Sequence, residues 1–289
     1  MTASQATYSA ATTLPDQAGK LQVMSLGGWC RPAHQIHHFA AQHPHTITPL
    51  RGPFDWTITP FTALQACLVP GFVPQTTVLQ PGRCHVSTLA SGACSTTGMI
   101  FHHRLEPKVM RALGHDQLDM PIPSAPEFDA VAADARGRFA HTYRHLSQLK
   151  DHPGESLFVR WRRQGHPDEH LPSAFAGETE ARVMRSLRRF LGHKRFHLLT
   201  IVTHVTPQRT DPFDDPVQSW HRSGRSMTCH LRERAGWNGD QTPNFKGDEA
   251  SWGAALQQAV AQITGPSTGV RQGLARLFTG RYRSVIPPR

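Results

Sequence analysis

A cysteine closes the stretch Leu-Gln-Val-Met-Ser-Leu-Gly-Gly-Trp-Cys (21–30), and Arg31-Pro32 follows it at the head of a helical pattern. The apolar run has the length of a strand. Two glycines permit a turn that a Cβ would obstruct. Pro32 suits the first turn of a helix, where its missing N–H breaks no bond. Cys30 is thereby placed at or beside the N-cap, where unpaired N–H groups and the helix dipole favour an anion. A thiol in that setting is expected to have a lowered pKa and to act as a nucleophile.

Such a nucleophile needs a base within hydrogen-bond reach and a third group to orient that base. Nineteen histidines are present. His103 and His102 stand out because they close a short apolar strand that begins at Met99. Asp55, between Phe54 and Trp56, is the candidate to hold the imidazole tautomer. Capping a helix that begins near Thr59 is its structural alternative. Asn238 and Asp240 rank behind it. The backbone at Gly28 and Cys30, beside Gly27, is the candidate oxyanion hole, and Trp29 and Trp56 are candidate substrate walls.

Other chemistries fit less well. His141 and His145 have the i, i+4 spacing of a helical metal pair, but no acid lies between them and no third ligand is marked. His34, one turn into the first helix, reads as a surface histidine. Gly27-Gly28 lacks the Gly-Lys-Ser/Thr of a phosphate loop. No cofactor or metal is expected. The formal charge of +10 attracts polyanions, yet only three tyrosines occur and no nucleic-acid module is recognisable, so nucleic acid is disfavoured.

The strings Ser-Leu-Gly-Gly-Trp-Cys and Gly-Pro-Phe-Asp-Trp resemble a bacterial family of otherwise unknown function described as papain-like cysteine peptidases. Ser25, Leu26, Gly27 and Cys30 match its Ser-Leu-Gly-x-x-Cys turn, and Pro53, Phe54, Asp55 and Trp56 match its Pro-Phe-Asp-Trp box. The likeness covers the first quarter of the chain. It implies a Cys–His enzyme acting on a peptide or protein, with His103 or His102 after the cysteine in chain order. Arg104 stands where the family carries an aspartate.

Several elements must position these groups. Ala33, Ile36, Phe39 and Ala40 repeat at helical spacing after Cys30, and residues 60–68 read as a second short helix. Residues 74–98 read as loops with a hairpin, across which Cys84 and Cys94 could pair. Phe128 to Leu149 carries the longest helical pattern. Ser156 to Trp161 reads as a strand, Glu178 to Leu191 as a basic amphipathic helix, and Phe196 to Val205 as a strand buried on both faces. Ser226 to Leu231 is a further strand candidate, and Glu249 to Ile263 a last helix. This order predicts an α/β fold with a central, mostly parallel sheet flanked by helices. The resemblance instead implies a papain-like α+β fold, which sets a helical half beside a β half.

At 289 residues the chain can bury a core without staples. Residues 1–20 read as a flexible polar leader, 21–263 as one domain, and 264–289 as a basic, loosely ordered tail. No run is long and apolar enough for a membrane span. Five cysteines at irregular spacing suit a reducing compartment. Cytoplasmic localisation is the expectation, with a translocated effector as the variant that the polar leader allows. The functional expectation is thiol-dependent hydrolysis or acyl transfer on a peptide or amide bond. Its alternative is an α/β transferase or binding protein for an anionic ligand such as a nucleotide-sugar, held by arginines 160–163 and 182–189. A third reading is a basic interaction module without activity.

Overall fold

The structure is a computed structural model that describes residues 20–74, 79–83, 90–94, 97–101, 125–164, 177–206, 217–234 and 247–265. The elements in chain order are β1 (Leu21–Ser25), α1 (Arg31–Gln42), β2 (Ile47–Leu50), α2 (Phe61–Cys67), β3 (Leu79–Arg83), β4 (Ala90–Cys94), β5 (Ile100–Phe101), α3 (Ala125–Gln148), β6 (Ser156–Gln164), α4 (Glu180–Leu191), β7 (Phe196–Thr206), β8 (Val217–Ser223), β9 (Ser226–Arg234) and α5 (Glu249–Thr264).

Six strands form one sheet in the order β2-β1-β6-β7-β9-β8. All neighbours are parallel except β8, which runs antiparallel to β9 at one edge. Side-chain alternation divides the core. Val23, Leu157, Val159, Leu199, Ile201, Met227, Cys229 and Leu231 face α1 and α5, where Phe39, Trp252 and Leu256 meet them. Met24, Phe158, Phe196 and Leu198 face α2, α3 and α4. Apolar residues on both sides of the inner strands are the pattern of a sheet covered on both faces. The chain is thus an α/β protein with a mostly parallel sheet. The described residues do not separate into a helical half and a β half.

β1 and β2 lie next to each other, and the chain then crosses back over β1 to place β6 on its other side. The strand order therefore reverses between β1 and β6. In open α/β sheets such a reversal leaves a crevice at the carboxyl ends of the strands, and ligands bind there.

β5 is not part of this sheet. It joins β3 and β4 in a separate three-stranded antiparallel sheet. Phe101 packs edge-on against Phe139 of α3 at 5.6 Å. In the β3–β4 ladder Cys94 stands opposite Leu79, and Cys84 lies outside the described residues.

Candidate functional site at the carboxyl edge of the sheet

The turn after β1 is held against the neighbouring strand. Leu26 N–H donates to Val159 O at 2.8 Å, and Trp161 N–H donates to Gly27 O at 3.2 Å, so pairing with β6 continues beyond the strand itself. On its other side, Gly28 O accepts from Thr59 N–H at 3.2 Å. Gly27 and Gly28 have φ of 72° and 98°. A Cβ on Gly28 would lie 2.3 Å from Trp161 O, and one on Gly27 would lie 2.8 Å from Thr59 Oγ1. Both glycines are therefore required by handedness and by close approach. The same closeness places α1 directly above the β1–β6 reversal.

The Pro-Phe-Asp-Trp box braces this turn. Phe54 is fully buried in the core. Asp55, also buried, accepts from Gly52 N–H through Oδ2 at 2.9 Å and closes the 52–55 turn. The capping role near Thr59 is not the one seen, since Pro60 holds the N-cap position of α2. Thr57 donates its hydroxyl to Phe54 O at 3.3 Å and contacts Thr59 Oγ1 at 2.8 Å. Trp56 is 39% exposed and turned outward.

Arg160 ties these pieces together. It is 0% exposed. Its guanidinium forms a two-pronged pair with Glu178, Nε to Oε1 at 3.1 Å and Nη2 to Oε2 at 2.9 Å. Nη1 donates to Leu26 O at 2.7 Å and Nη2 to Thr59 O at 2.9 Å. The cysteine turn, the segment after the aromatic box and the entry to α4 thus share one buried cation. Such a charge is tolerable because it is paired and its remaining donors are satisfied. The signal for it was an arginine one alternation from Phe158 in an otherwise apolar strand, a place where a charge must find a partner. The reading of Arg160 as a phosphate ligand is corrected accordingly: its donors already have acceptors.

Cys30 is the N-cap residue of α1, with φ −72° and ψ −16°, and is 5% exposed. Burial pushes its thiol pKa up, outweighing its own backbone hydrogen bond and the charge of Arg31, which pull it down. The expected lowering of the pKa is therefore not what the site produces. The local geometry is right, but desolvation of the thiolate exceeds what one backbone bond and one neighbouring charge return. At rest Cys30 is a protonated thiol, so any role as nucleophile requires a base to remove the proton.

Arg31 is buried with its guanidinium over the Trp161 ring at 4.2 Å. Trp29, half-buried, meets Trp161 edge-on at 5.3 Å, and Trp161 Nε1 donates to Thr203 Oγ1 at 3.0 Å. Trp29 was a candidate wall in the sequence, but its packing on Trp161 and the place of Arg31 over that ring were not foreseen, because β6 lies far from the turn in sequence.

Gly27 N–H donates to Ser25 Oγ at 2.9 Å, so this donor of the expected oxyanion hole is already engaged. The candidate bases His103 and His102, and Asn238 and Asp240, lie outside the described residues. His34 is on α1, and its Nε2 is 3.6 Å from Glu249 of α5. His141 and His145 meet ring to ring at 5.0 Å, and no group of three potential metal ligands occurs among the described residues. No helix among them is long and apolar enough to cross a membrane.

What fold and site define is a doubly wound α/β protein with a cysteine turn at its strand-order reversal. No family model, curated protein or solved structure matches the chain.

Proposed function

We propose that the protein is a thiol-dependent hydrolase or acyltransferase acting on a peptide or amide bond in the crevice above β1 and β6. The observation that carries this reading is the position of Cys30, at the N-cap of α1 and one residue beyond the glycine pair, where α/β proteins seat their ligands. His103, or His102, takes the thiol proton as sulfur attacks the carbonyl carbon. The developing oxyanion is met by backbone N–H groups at Gly28 and Cys30. The leaving amine accepts the proton, and water or a second nucleophile resolves the acyl-cysteine. Asp55 is the proposed orienting group, in addition to closing its own turn.

A second reading has its own support. The Cys30 thiol is raised by burial, and the first turn of α1 carries no acidic residue and no side-chain cap bond. Those features suit a bound anion at the helix terminus with a passive thiol. Exposure of the protein to p-nitrophenyl acetate, followed by peptide mapping, separates the two. Acylation concentrated on Cys30 and abolished by His103→Ala with His102→Ala supports the enzyme. Acylation confined to surface lysines, with Cys30 unmodified, contradicts it and leaves the anion-binding reading.

A further inference from the structure

The basic residues of α4 serve two different ends of the sheet. Arg182, near the start of the helix, leans over the Phe61 ring at 4.8 Å and donates to Gly177 O. Arg185 and Arg188 lie further along, toward the edge where β7 begins. With Lys194, Arg222 and Arg225 they line a groove of ≈ 720 Å³ between α4 and the β8–β9 hairpin. Cys30 stands at the carboxyl edge beside β1 and β6, whereas this groove runs along α4 from Glu180 to the amino ends of β7 and β9.

The sequence explains why the groove exists. α4 buries Val183, Leu187, Phe190 and Leu191. Beyond it, Met227, Cys229 and Leu231 of β9 are buried on the opposite face. The near face of β9 and β8 carries Ser226, Thr228 and His230 with Ser223 and His221, cross-strand neighbours in the pairs His221–Thr228 and Ser223–Ser226. The sheet thus runs past its covering helix and leaves a floor of hydroxyl and imidazole groups beside a cationic wall.

Five cations line the groove against a single carboxylate, Glu180, which pairs with Arg162 at 3.3 Å. Arg225 is paired with Glu155, and Arg222 donates to the main-chain oxygens of Gln262 and Gly224. Arg185, Arg188 and Lys194 make no side-chain hydrogen bond or ion pair among the described residues. Ser226 Oγ, in the floor, is buried without a hydrogen-bond partner there. The volume falls within the range of small-ligand sites, roughly 300–1,000 Å³.

We infer that this groove binds a small ligand carrying two or more phosphate groups. Arg185 and Arg188 are three residues apart on one helix face, with Cβ atoms about 5–6 Å apart, and guanidinium forks match phosphate oxygens two at a time. The Thr228 hydroxyl, in the lining, adds a neutral donor to the same oxygens. Three cations without a carboxylate partner among the described residues call for more than one phosphate. A polynucleotide is a poorer fit, because the one aromatic ring of Phe, Tyr or Trp type in the lining, Phe196, is buried and offers no stacking platform.

Titration calorimetry of the full chain with inorganic tripolyphosphate tests the inference. Saturable binding that weakens as salt is raised is expected. Arg185→Glu with Arg188→Glu should weaken it about tenfold or more. The milder pair Arg185→Gln and Arg188→Gln should weaken it in the same direction, and serves if the charge reversal unfolds the helix. Arg136→Glu with Arg144→Glu, the same charge change on α3 at residues outside the groove lining, should weaken it clearly less. Absence of binding overturns the inference. So does an equal loss in the α3 variant, which would mean attraction to overall charge, or equally tight binding of hexaglutamate, which would mean no preference for phosphate.

Discussion

A buried guanidinium must have its charge and its donors met inside the protein. Arg160 meets both requirements with Glu178, Leu26 O and Thr59 O. Arg160→Ala leaves Glu178 charged and unpaired in the core. It is expected to cost about 3–5 kcal/mol, measured by urea denaturation. Gly28→Ala forces a Cβ onto Trp161 O in a left-handed conformation. The expected loss is roughly 2–5 kcal/mol from overpacking and backbone strain together. His197 sets a pH dependence. Burial, and then the charge of Arg225, lower its pKa from 6.5 to about 4, against the raising effect of Glu155. The 3.4 Å contact between His197 and Glu155 is therefore not an ion pair at neutral pH, where Arg225 is the cationic partner of Glu155. The unfolded chain takes up the proton near 6.5 and the folded chain only near 4. This contribution to stability is thus complete above pH 6.5 and declines as pH falls through that window. His197→Asn should flatten the corresponding slope in urea midpoints. A slope unchanged from wild type would assign it to other histidines. The place of Cys30 on its turn was legible from glycines, proline and periodicity. Its raised pKa was not, because desolvation depends on tertiary neighbours.

Helix α4 shows how much an element can announce itself. Thr179 Oγ1 accepts from Arg182 N–H at 3.3 Å, Glu180 sits in the first turn, Arg188 and Arg189 in the last, and Gly192 closes the helix at φ 76°. All four signals are local and readable in sequence. Thr179→Ala is expected to destabilise the fold by about 1 kcal/mol, and a change below the error of the denaturation curve would count against that cap. β7 was equally plain, as an unbroken β-rich run. The two edge strands were not. β2 carries Pro49, which reads as a breaker but is tolerated where one side of the strand has no partner. β8 is the polar segment Val-Gln-Ser-Trp-His-Arg-Ser (217–223), with an irregular register between Val217 and Ser219. Edge strands are polar and irregular because they must resist further pairing, which removes the pattern that sequence reading looks for.

Across the whole molecule, the alternation of strands and helices was enough to expect a mostly parallel sheet. It could not supply the order β2-β1-β6-β7-β9-β8, since order depends on where each crossover returns. That order gives the Cys30 turn its position above the reversal, and it sends Arg185 and Arg188 to the other end of the strands. Arginines that sequence proximity groups together are thereby divided among a buried brace, a helix entry and a separate groove. The central proposal is chemical: a sulfur protonated at rest becomes a nucleophile when an imidazole takes its proton. It is tested by the rate of iodoacetamide alkylation of Cys30 against pH, followed by peptide mapping in the wild type and in the His102→Ala, His103→Ala double variant. The account predicts alkylation already appreciable below about pH 8, under the ordinary thiol value, because the imidazole takes the proton as sulfur attacks, and its loss in that range when the histidines are removed. A rate that climbs without inflection past pH ~9, as a thiol raised by burial alone would give, and that is the same in both proteins, would contradict it.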